Sequence, residues 1–149
     1  MPARRVDTSR LLAAVDAQRA ATGDPPWSGP VTAGALGAAC VAAVLAAVDA
    51  GGIPEREALR WAVVHLLDHL ARRVPGRAVE VRVPPFAAIQ CVPGPRHTRG
   101  TPPNVVETDP VTWILLATGR LPWASAVADG RVRASGPRAD ISGYLPLSD

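Results

Sequence analysis

The sequence predicts an α+β domain: an antiparallel-rich sheet covered on one face by helices, with an N-terminal helical extension before it. Three observations point there. Apolar residues recur at helical spacing as far as Leu70, then switch to a twofold alternation in Val79-Glu80-Val81-Arg82-Val83. The helical and strand-like stretches are segregated along the chain, which separates α+β from a doubly wound sheet. Near the C-terminus, Pro110, Pro122 and Pro137 each stand where a first helical turn begins, and Gly119 and Gly130 follow the first two apolar runs.

Each element has its own signature. Asp7 is placed to cap a helix running to about Ala21, with Leu11, Leu12 and Val15 on one side and Gly23 closing it. Asp24-Pro25-Pro26-Trp27-Ser28-Gly29-Pro30 reads as a stiff connector. Val31 to Val48 is uncharged throughout and long enough for a membrane span, but it is mostly alanine, with Gly34, Gly37 and only two leucines. Alanine gains little from lipid, so the segment is expected to be a close-packed helix. Gly34 and Ala38 would form its small-residue face, buried in this domain or in a homodimer through the Val31–Val48 helix. Gly51-Gly52 breaks it, and Pro54, Glu55 and Glu57 start the next helix with acidic charge at its positive end. Leu59, Val63, Leu66, Leu67 and Leu70 make that helix's apolar face, while Trp61, His65, Asp68 and Arg72 form a second stripe. It is expected to lie between the sheet and the extension.

The strands follow. Val79, Val81 and Val83 face one way, with Glu80 and Arg82 opposite. Phe86 to Val92 and Asn104 to Thr108 are expected as a second and third strand, and Arg131 to Ser135 as a fourth. Val132 and Ala134 should join the buried face; Glu107, Arg131 and Arg133 should join the solvated one. Pro137 should open a last helix.

Composition narrows the function. A chain of 149 residues, 48% hydrophobic, suits one good core. All 16 basic residues are arginine, so lysine Schiff-base chemistry is excluded. The net charge is only +3, the arginines are scattered, and one Phe and one Tyr offer little stacking surface, so nucleic acid is not the expected partner. Cys40 and Cys91 sit in apolar contexts and suit buried thiols in a reducing cytoplasm. No signal-peptide core follows Met1, and the expected location is cytoplasmic.

The C-terminal block carries a more specific signal. Ala117-Thr118-Gly119-Arg120-Leu121 is followed by Ala126 to Gly130, then by Val132-Arg133-Ala134-Ser135-Gly136. A helix ending in a T-G-[KR] turn, a short helix with an A-x-x-x-G-[KR] step, and a strand ending in Gly resemble the sterol carrier protein superfamily. The similarity is to its bacterial, actinobacterial-type branch and reaches back to about Pro54. It implies a sterol-carrier-like domain over residues 53–149, with residues 1–52 as an extension packed on the core. A similar module forms the C-terminal domain of thiol-dependent maleylpyruvate isomerases.

The resemblance gives the apolar site residues their roles, and the composition of one loop suggests the polar ones. Val111 to Thr118 is apolar nearly all round, so it must be covered on more than one side. In the carriers it resembles, one side meets the sheet and the other lines an apolar cavity. Trp113, Leu116 and Trp123 would line the apolar part. The long Pro/Gly-rich loop between the second and third strands would hold a polar head through Arg96, His97 and Arg99. The implied role is non-catalytic binding of a lipid-like or amphipathic small molecule, without a cofactor. Two alternatives stand beside it: an enzyme or enzyme subunit related to the isomerases, using the same loop on an anionic substrate, and a self-plugged interaction module whose cavity is filled by its own helix. His65 and His69 have the i,i+4 spacing of a ligand pair without an evident third ligand, and read as structural. Cys91 reads as a core residue, not a nucleophile.

Overall fold

A computed structural model describes residues 6–94 and 104–147. The chain divides into two compact units, Met1–His65 and Leu66–Asp149.

The first unit is helical. In α1 (Thr8–Ala21) the Asp7 carboxylate accepts the N–H groups of Ser9 and Arg10 at 3.0 and 3.3 Å, satisfying donors that no helix turn can reach. Thr32 caps α2 (Ala33–Asp49) in the same way. The connector between them is pinned by Trp27, whose backbone N–H donates to Asp16 at 2.7 Å and whose indole N–H donates to the Pro30 carbonyl at 3.1 Å. Leu11 and Val15 of α1 and Leu36, Cys40 and Val44 of α2 are buried. Gln18, also buried, accepts the Glu55 N–H at 2.7 Å and so completes the start of α3 (Arg56–Arg73). Among the described residues no helix is long and apolar enough to cross a membrane.

Of the two placements expected for the Gly34–Ala38 face of α2, burial within this domain is not the one found. Gly34 and Ala38 are exposed, and nothing lies within 4 Å of where a Gly34 Cβ would stand. The close approach falls at Gly37, where a Cβ would sit 2.2 Å from Nδ1 of His65. The imidazole therefore lies on the backbone of α2 where only a hydrogen is tolerated. With larger side chains at Leu36, Cys40 and Val44, burial of that side outweighs burial of the Gly34–Ala38 row.

The second unit holds a four-stranded sheet in the order β2-β1-β3-β4, formed by β1 (Val79–Val83), β2 (Ala87–Cys91), β3 (Val105–Thr108) and β4 (Val132–Ser135). β1 runs antiparallel to β2 and parallel to β3, and β3 runs antiparallel to β4, so the sheet is mixed with antiparallel pairing in the majority. Val79, Val81, Val83, Val106 and Val132 are fully buried, while Glu80 and Arg82 face the other way and pair with each other. Each buried valine contributes about 1.5–3 kcal/mol, and a one-residue slip would exchange that row for a charged one.

Three details depart from expectation. Ala134 is exposed although it stands opposite buried Val106, because β4 is the outermost strand and its burial ends at Val132. Arg131 lies before β4 and its Nε donates to the Thr112 hydroxyl at 3.1 Å, so it serves as a tether and not as part of the charged row. No α-helix follows Pro137; a 3₁₀ turn over Ser142–Tyr144 is the only helical piece there among the described residues. Its backbone groups find other partners: the Arg138 N–H donates to the Asn104 side chain at 2.8 Å and the Ser142 N–H to Asp140 at 3.0 Å.

The same Asn104, 3% exposed, donates from Nδ2 to the Ala78 carbonyl at 2.8 Å. One buried amide thus joins the entries of β1 and β3 to the C-terminal segment. At the end of β2, Val92 adopts a φ of +69°, an uncommon conformation for a β-branched residue. It is held by bonds from its N–H to the Val74 carbonyl and to its carbonyl from the Ala78 N–H.

Candidate ligand pocket

Between β3 and β4 the chain forms α4 (Pro110–Ala117) and α5 (Trp123–Ala128). Asp109 caps α4, with Pro110 in the first turn where its missing N–H is harmless. Both flanks of α4 are covered: Trp113, Ile114, Leu116 and Ala117 are all buried. The helix closes where the Leu115 carbonyl accepts from both Arg120 and Leu121, with Gly119 at a φ of +78°.

That turn opens a pocket of about 200 Å³. Leu116, Gly119, Leu121, Pro122 and Trp123 line one side, and Ser142, Leu145 and Pro146 line the other. The C-terminal wall is fastened by the Leu147 N–H to the Ala117 carbonyl at 2.8 Å and by Arg73 Nη1 to the Pro146 carbonyl at 3.2 Å. Pro146 packs close on Gly119, where a Cβ would meet it at 3.2 Å. The lining is apolar apart from Ser142, and the Ser142 hydroxyl is engaged with Asp140, whose carboxyl it holds below its usual range.

Two of the residues expected from the sequence, Leu116 and Trp123, come together on this pocket. Trp113 lies one turn earlier on the same helix, fully buried and not on the pocket wall; its indole N–H has no hydrogen-bond partner. Arg96, His97 and Arg99 lie outside the described residues. Sequence reasoning missed Leu121, Leu145 and Pro146. The signal present was a Leu-Pro pair at 121–122 and again at 145–146, each apolar within a turn-rich stretch.

Reactive groups elsewhere are subdued. Burial pushes the Cys40 thiol up to about 12 and the Cys91 thiol up to about 11. Cys40 also approaches the Ala58 carbonyl at 3.4 Å. His65 is committed to the Gly37 contact, and among the described residues no group of three or more His, Cys, Asp or Glu side chains gathers as a metal site would.

A family model described as bacterial SCP ortholog matches residues 55–147, more than half of the chain. The chain belongs to that sterol-carrier-like family. No curated protein matches it. The match to the bacterial SCP ortholog family takes in α3, all four strands, α4, α5 and every wall of the pocket, while α1 and α2 precede it.

Proposed function

We propose that this sterol-carrier-like chain is a non-catalytic carrier that holds the apolar part of a lipid-like or amphipathic small molecule at the C-terminal end of α4. The observation that carries the reading is the convergence of Leu116, Leu121, Trp123, Leu145 and Pro146, from α4, α5 and the C-terminal segment, on one apolar pocket inside the family-matched region. A larger cleft of about 610 Å³ between α1 and the start of α3 is rimmed by Arg10, Arg56, Arg60, Glu55 and Glu57, and supports this function less well. At about 200 Å³ the pocket takes a segment of a molecule, since sites enclosing a whole drug-sized ligand run to about 300–1,000 Å³. Arg96, His97 and Arg99 are assigned to a polar head on the ground of their loop's composition. Thiols pushed to about 12 and about 11 stay protonated at neutral pH, which disfavours a thiolate-based reaction.

The same reading gives the exposed row Gly34, Ala38, Ala42 and Ala46 of α2 to a second copy of the chain. This row carries no charge, and two such helices can approach closely.

The test is uptake of a fluorescent fatty acid by the full chain. Micromolar binding is expected, weakened at least tenfold by Leu121→Trp, which fills the pocket from a half-buried wall position. Arg96→Ala with Arg99→Ala should weaken an anionic ligand more than its alcohol. Absence of uptake by the unaltered chain would end the carrier reading.

A further inference from the structure

The cleft between α1 and the start of α3, at about 610 Å³, lies in the size range of sites that enclose a whole small molecule, about 300–1,000 Å³. Alanine keeps it open. Ala13 and Ala17 stand one helical turn apart on the side of α1 that lines it, and Ala58 lines it from α3. The two helices are joined where Gln18 accepts the Glu55 N–H at 2.7 Å. From there toward Arg10 only methyl groups fill the space between them.

Charge surrounds that apolar floor. The guanidinium groups of Arg10, Arg56 and Arg60 meet the two carboxylates of Glu55 and Glu57, so the lining has one positive charge in excess. The ion pairs are loose. Arg10 approaches Asp7 at 3.7 Å and Arg60 approaches Glu57 at 3.6 Å, both beyond hydrogen-bond range and both in contact with solvent. Asp7 is itself engaged in capping α1. The N–H forks of Arg10 and Arg60 are thus open to an incoming acceptor. Arg60 is also restrained in advance, because its guanidinium lies over the Trp61 ring, 5.0 Å from the centroid.

We infer that this cleft is a second binding site, for an amphipathic anion: a carboxylate or phosphate held by Arg10, Arg56 and Arg60, with a short apolar body lying on the alanines. Guanidinium groups pair with either oxyanion through two parallel hydrogen bonds. The alanine methyls offer nothing to a bare inorganic anion, so the ligand carries both parts. One wall is α1, which precedes the family-matched residues. The site therefore goes beyond the carrier reading of the α4 pocket and does not depend on it.

The experiment is a ¹H–¹⁵N titration of the full chain with octyl phosphate, octanoate, octan-1-ol and inorganic phosphate in separate series. Octyl phosphate and octanoate tell the two head groups apart. At least one of them is expected to shift the amides of Ala13, Ala17 and Ala58 and to bind there about tenfold more tightly than the alcohol or inorganic phosphate. Arg10→Gln with Arg60→Gln should weaken that anion about tenfold and leave the alcohol within about twofold. Ala13→Leu with Ala17→Leu, at two exposed positions, should fill the floor and abolish the shifts while the circular dichroism melt stays cooperative. Anion shifts confined to the amides of Leu121 and Leu145 would overturn the second site and leave the carrier reading intact. Undiminished anion affinity in the arginine variant, or equal affinity for inorganic phosphate and octyl phosphate, would overturn it as well.

Discussion

Replacing Asn104 with leucine removes one side chain and unties three parts of the second unit at once. In the native chain Nδ2 donates to the Ala78 carbonyl and Oδ1 accepts from the Arg138 N–H, both at 2.8 Å, the first bond buried and the second part-buried. Each bond contributes about 1 kcal/mol net, and each backbone group left behind unpaired adds a desolvation cost of about 1–3 kcal/mol. Leucine restores part of the packing, so the expected loss is about 3 kcal/mol. For a chain of this length that corresponds to a fall of roughly 6–12 °C in Tm. Thermal melts by circular dichroism, paired with urea titrations, measure it. Because Arg138 leads directly into the segment that walls the pocket, amide exchange at Ser142–Leu147 should quicken more than at α1. A loss below about 1 kcal/mol would refute the reasoning, showing that water replaces the amide without penalty.

The other predictions test packing, titration and assembly. Gly37→Ala should cost about 1–3 kcal/mol by overpacking against His65, and His65→Ala should recover most of that loss in the double variant, as read from urea midpoints. Stability should decline as pH rises from about 9 toward 11, because the unfolded thiols ionise at their ordinary value while folded Cys40 and Cys91 hold their protons; the slope should reach roughly 1 kcal/mol per pH unit for each thiol by pH 10 and flatten in Cys40→Ala with Cys91→Ala. Ala38→Glu with Ala42→Glu should leave Tm within a few degrees, since both positions are exposed, while sedimentation shifts from dimer to monomer.

Local chemistry made much of the fold legible. Asp109-Pro110 and Gly119 bracket α4 because caps and left-handed turns are decided by neighbours within a few residues. The valine alternation of β1 set the buried face for the same reason. What stayed hidden depends on distant partners. The segment after Pro137 forgoes a helix because Asn104, far back in the chain, takes the Arg138 N–H. An alanine-rich helix carries little contrast between its sides, so nothing local distinguished Gly37 from Gly34 as the point of contact. Leu116 and Trp123 could be singled out within one block, whereas Leu145 and Pro146 reach the pocket only through the Arg73 and Ala117 bonds that hold the C-terminal segment.

Native mass spectrometry of the full chain purified from its own host tests the carrier claim most directly, because a protein that carries an apolar molecule retains some of it. The unaltered chain should show an added mass of a lipid-like compound, released on denaturation, and Leu121→Trp should show the bare polypeptide. Bare polypeptide in both preparations, or an equal adduct in both, would contradict the assignment of the α4 pocket.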